Sequence, residues 1–90
     1  MTYEFRWNEW NIEHLAEHGV SPVEAEELVC SAIRPYPRKI GDGKYIVRGR
    51  TQAGVYLQVI LVFDPAPVIY VIHARPLSET EKWRFRREPR

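Results

Sequence analysis

The chain has 90 residues, 44% of them apolar, with 13 Lys and Arg against 12 Asp and Glu for a net charge of +1. That length supports a single domain, residues 1–90, and the ordinary apolar fraction excludes a disordered chain. No apolar run nears the roughly 20 residues of a membrane-spanning helix, no leader is read over Met1–Trp10, and the lone Cys30 cannot form an internal disulfide, so the expected setting is the cytoplasm.

The near-neutral balance conceals two unlike halves. Through Ala32 the only base is Arg6 against seven glutamates, a net of −6; from Ile33 onward 12 bases face five carboxylates, a net of +7. A basic half suits an anionic polymer, and it can equally attract the acidic half across the fold.

Taken in order, Trp7-Asn8 opens a helix: Asn8 is a good N-cap and Trp7 can staple onto Ile12. Ile12, Leu15 and Ala16 make its buried stripe, and Gly19 stops it. Ser21-Pro22-Val23-Glu24 restarts a helix, with Ser21 as cap, Pro22 at the first position and Glu24 closing a capping box. Val23, Leu28, Val29 and Ile33 supply apolar contacts there, and the helix ends near Ala32. The period then turns extended. Arg34 to Ile40 reads as an edge strand interrupted by Pro35 and Pro37, which cannot donate to a ladder. Gly41-Asp42-Gly43 makes a hairpin turn into Lys44–Thr51, which is followed by Val55–Phe63 and Val68–Ala74. Ser78 and Glu81 form the capping box of a last, basic helix, frayed after Phe85. The expected fold class is α+β: two N-terminal helices, a four-stranded antiparallel meander and a C-terminal helix.

Several chemical patterns stand out. His14-Leu15-Ala16-Glu17-His18 matches the H-x-x-E-H zinc-protease pattern. The helix ends at Gly19 and no downstream helical ligand follows, so His18 reads as a helix-end residue and no metal is expected. Cys30 reads as a small buried hydrophobe, and the three tryptophans as core or interface anchors.

The most informative stretch is Val68–Ile72 followed by His73-Ala74-Arg75-Pro76. Alternation puts His73 and Arg75 on one face of a strand, with Tyr70 and Ile72 on the other. Arg48 and Arg50 share a face of another strand. If those faces coincide, three guanidiniums surround one imidazole. Arginine forks orient phosphates and stabilise phosphoryl transition states, and RNA supplies its own nucleophile, the 2′-hydroxyl.

Four segments in order resemble the BrnT-type toxins, a family with a RelE-like ribonuclease fold. They are Phe5-Arg6-Trp7-Asn8 with Asn11, His18-Gly19-Val20-Ser21 with Glu24-Ala25, Gly49-Arg50-Thr51, and Ile72-His73-Ala74-Arg75-Pro76 with Glu81. The resemblance implies a bacterial ribonuclease toxin of a type II toxin–antitoxin system, inhibited by a cognate ribbon-helix-helix antitoxin. It implies contact with operator DNA only through that antitoxin. Arg50, Arg75 and Glu81 match the family's polar positions, and Lys82 and Arg84 its basic last helix. Three residues depart from it: Glu17 stands in place of a lysine, His73 of a serine and Phe85 of a tyrosine.

The resulting expectation is metal-independent and cofactor-free RNA cleavage. Arg50 and Arg75 bind the scissile phosphate, His73 acts as acid or base, and Glu81 orients or takes the proton. Arg48, Lys82, Arg84 and Arg87 track the RNA backbone. The alternative is a catalytically weak or inactive toxin fold kept to bind an antitoxin or another protein. No membrane partner is expected, and a homodimer is left open.

Overall fold

The computed structural model describes residues 3–89. In chain order the elements are β1 (Glu4–Arg6), α1 (Glu9–Ala16), α2 (Pro22–Cys30), β2 (Arg38–Gly41), β3 (Lys44–Arg50), β4 (Tyr56–Phe63), β5 (Val68–Pro76) and α3 (Glu79–Arg87). The fold is α+β, with three helices and one mixed sheet of order β1-β5-β4-β3-β2. β2 to β5 form the expected antiparallel meander. The sheet has a fifth strand, however: β1 pairs parallel to β5, with Phe5 opposite Ile69. Three residues with one inward apolar side chain are too few to display a period of two. At the other edge, β2 starts at Arg38 rather than Arg34, beyond the two prolines that cannot donate to a ladder.

All three helices open with complete capping boxes: Asn8 with Asn11, Ser21 with Glu24, and Ser78 with Glu81. α1 ends early, and its last turn tightens as the His18 amide bonds Leu15 and the Gly19 amide bonds Ala16. Its buried residues are Asn11 and Leu15, whereas Ile12 and Ala16 of the expected stripe are exposed. Trp7 meets α2 instead, donating its indole N–H to Glu26 at 2.7 Å. Asn11 is fully buried because it works as a connector. Its amide donates to the Arg6 carbonyl (3.2 Å) and the Val71 carbonyl (3.1 Å), while its oxygen accepts from the Asn8 amide (2.8 Å). Where β1 runs out, Asn11 thus continues the pairing of β5's free edge.

The core lies between α2 and one face of the sheet. Val47, Leu57, Val59, Leu61, Val71 and Ala74 are buried there, with Ala25, Leu28, Val29 and Leu15 above them. A methyl on Gly49 would sit 3.1 Å from Leu28, so the glycine sets how closely α2 seats on β3. Three apolar residues of the second helical segment do not join this core. Val23 and Ile33 are exposed, and Cys30, expected inside, is exposed on α2. Residues 25, 28 and 29 occupy the inward face, and Cys30 lies about 100° further round.

α3 closes the opposite side through Phe85, whose ring meets Tyr36 and Tyr56. The Tyr36 hydroxyl donates to the Glu88 carboxylate at 2.6 Å. The segment after Phe85, expected to fray, is therefore helical to Arg87 and anchored at Glu88. Among the described residues no helix is long and apolar enough to cross a membrane.

A β-bulge overturns one expected facing. Ile60 pairs with His73, but Leu61 pairs with Val71, leaving Ile72 as an inserted residue on β5. The insertion brings Tyr70 onto the same face as His73 and Arg75 rather than the reverse face.

Candidate functional site

The sheet register assembles the candidate residues on the face away from α2. Arg48 pairs with Gln58 and Gln58 with Arg75, forming one row across β3, β4 and β5. Directly opposed residues share a face, so the row sets two guanidiniums about 10 Å apart at their backbones. Gln58 is buried between them and accepts a hydrogen bond from Arg48 Nε at 3.2 Å. Arg50 pairs with Tyr56 one row away, and His73 with Ile60 in the next row on the other side. The convergence of Arg48, Arg50, His73 and Arg75 on one face is thus a property of the register.

Arg75 and Glu81 are joined most tightly. The guanidinium donates to both carboxylate oxygens at 2.7 Å, and Nη1 also donates to the Pro76 carbonyl at 3.1 Å. Glu81 Oε1 accepts the Ser78 amide as well, so a single carboxylate serves the α3 cap and the strand arginine together. The Arg75 hydrogen bonds, followed by the Ser78 amide, hold the Glu81 carboxyl down at about 2. A carboxylate that acidic orients Arg75 and is a poor proton acceptor at neutral pH.

His73 titrates below its ordinary 6.5, chiefly because of burial, then because of His18, His14 and Arg75. At neutral pH its imidazole is uncharged. The other two histidines of the chain surround it: ring centres lie 5.2 Å away for His18 and 5.9 Å for His14. His14 in turn stacks on Trp10 at 4.9 Å and 10°, with Glu17 3.9 Å from its Nδ1. Thus the H-x-x-E-H segment carries two imidazoles to β5, a contact that no local reading shows. Among the described residues, no three His, Cys, Asp or Glu side chains are disposed to hold a metal ion.

The remaining bases divide. Arg50 lies 5.9 Å from the Tyr56 ring centre and packs over Gly54, where the guanidinium stands 3.3 Å from the position of a would-be Cβ. Arg84 lines a shallow groove with Arg48, Glu81, Phe85 and Glu88. Lys82 is paired with Glu79 at 2.9 Å, and Arg87 lies over Trp83 at 4.4 Å. Arg86, outside the expected set, belongs to the face: it sits over Tyr56 at 5.2 Å and its bond to the phenol lowers that group's pKa. Gln58, Tyr56, His14 and His18 are the other additions. The lone glutamine inside the apolar run of β4 was the signal available for Gln58.

This arrangement can bind a chain of phosphates through forked cations and accept a proton at His73. No protein-family profile matches the chain, and no curated protein matches it.

Proposed function

We propose that the protein is a metal-independent endoribonuclease, acting as the toxin of a toxin–antitoxin pair. The observation that supports it most is the single face carrying Arg48, Arg50 and Arg75 in register beside the uncharged His73. The ordered motif set shared with BrnT-type toxins supplies the toxin part of the reading, including the ribbon-helix-helix antitoxin as partner.

In this reading Arg75, held by Glu81, presents its Nε and remaining Nη2 hydrogens to the scissile phosphate. Arg48 and Arg50 hold the neighbouring phosphates, with Arg84 and Arg86 further along the strand. His73 removes the 2′-hydroxyl proton as the 2′-oxygen attacks phosphorus. Glu81 keeps the guanidinium aimed and takes no proton. Lys82 and Arg87 serve the periphery, each already engaged within α3.

Induced expression of the wild-type chain should arrest growth and fragment cellular RNA. The His73→Ala/Arg75→Ala double variant should do neither. Growth arrest equal to wild type would rule out this site. A non-catalytic module that binds a protein partner draws support from Trp83, which is 55% exposed on α3. That reading predicts partner capture without any RNA fragmentation.

A further inference from the structure

Every histidine of the chain meets at one place, yet the proposed reaction uses only one of them. Transesterification of RNA needs two proton transfers: one from the attacking 2′-hydroxyl and one to the departing 5′-oxygen. An acid for the second is absent from the arginine row, since guanidiniums do not titrate usefully and Glu81 is ionised far below neutrality.

We propose that His18 is the general acid, forming with His73 a two-imidazole acid–base pair across the scissile bond; this rests on the ribonuclease reading above. His18 has its ring 5.2 Å from that of His73 at an interplanar angle of 68°, near enough for both to contact one phosphodiester. It is exposed at the tightened end of α1, where a substrate oxygen can reach it. His14 is less suited: Trp10 stacks on it and Glu17 stands at its Nδ1. Its role is to pack behind the pair, 5.9 Å from His73 and 6.4 Å from His18.

The groups facing the pair are Arg75 from β5 and His14 from α1, with Glu17 3.9 Å from His14 Nδ1. Burial, followed by His18, His14 and Arg75, disfavours charge at His73, which suits that ring to the part of the base.

The step balances without a further reactant. The 2′-oxygen to phosphorus bond forms as His73 takes the hydroxyl proton. The phosphorus to 5′-oxygen bond breaks as His18 gives its proton to that oxygen. The products are a 2′,3′-cyclic phosphate and a free 5′-hydroxyl, and proton exchange with water resets both rings.

The test uses the full chain and a single-stranded RNA decamer. A second decamer carries a 5′-bridging sulfur at the bond the wild type cuts, a leaving group that needs no proton. His18→Ala and His18→Gln should slow cleavage of the all-oxygen RNA by about 10²- to 10⁴-fold. Both should cleave the sulfur RNA within a few-fold of wild type, whereas His73→Ala should be slow on both substrates. Equal slowing of the His18 variants on the two RNAs, or no slowing on either, overturns the acid assignment alone. A wild type that cuts neither RNA overturns the ribonuclease reading and the assignment with it.

Discussion

Arg75 and Glu81 meet through two parallel 2.7 Å hydrogen bonds that tie the end of β5 to the start of α3. Glu81 also closes the Ser78 capping box, so two substitutions can separate its jobs. Glu81→Gln keeps a capping side chain and loses the ion pair, and should cost about 1 kcal/mol, given that both side chains remain partly solvated. Glu81→Ala loses the cap too and should cost about 1 kcal/mol more. Urea unfolding of the two variants against wild type checks the difference. Both variants should lose RNA cleavage, since Arg75 is no longer aimed.

The same carboxylate fixes an acid limb of stability. Its folded pKa of about 2 lies below the ordinary 4.5, so the unfolded chain binds the proton more readily. The contribution is complete above pH 4.5 and is lost as pH falls toward 2. Thermal unfolding between pH 6 and pH 2 should show this loss in wild type and a shallower slope in Glu81→Gln.

His73 acts in a higher window with the same sign. Its folded pKa is below 6.5, so protonation favours the unfolded chain as pH falls through and beneath that value. His73→Gln should therefore flatten the stability profile just below pH 6.5 while leaving the Glu81 limb intact. Nuclear magnetic resonance titration of the His73 ring gives the direct measurement, with an inflection below 6.5 expected.

Asn11 is the buried polar side chain with the most to lose. Asn11→Ala strips partners from the Arg6 and Val71 carbonyls and the Asn8 amide at once. A cost of about 2–3 kcal/mol is expected from groups left unsatisfied in or near the core. Hydrogen exchange should rise at β1 and the start of α1 before it rises in β3 and β4.

Backbone tracking by α3 has a salt signature. Arg84→Ala should weaken single-stranded RNA binding and reduce the slope of log affinity against log salt by about 0.7, the share of one phosphate contact. Arg87→Ala, whose guanidinium already lies over Trp83, should change the slope less. Fluorescence anisotropy across a salt series distinguishes them.

Much of this was legible locally. The caps at Ser21 and Ser78, the proline-broken edge and the meander all follow from neighbours a few residues apart. The strand-end pair His73 and Arg75 was visible because alternation is a local rule. What the sequence hid is contact between distant segments. β1 has one inward residue and finds its partner 64 positions away, Phe5 on Ile69. Asn11 looks like a helix-surface residue until the unpaired edge of β5 is placed against it. His14 and His18 read as a helix pair with no third group because the third group is on a strand. The resemblance to a toxin family rests on motif order alone.

The bulge at Ile72 divides β5 into two lengths of opposite parity. Residues before it present even positions to the arginine face, and residues after it present odd ones. Drawing Ile72 into a regular, unbulged ladder would force a choice: with Tyr70 kept in place, the imidazole and guanidinium would rotate into the packed interior. Deleting Ile72 would instead leave Tyr70, His73 and Arg75 alternating regularly onto one face, so the strand tolerates a shortening at this position that would reverse every downstream side chain elsewhere along it.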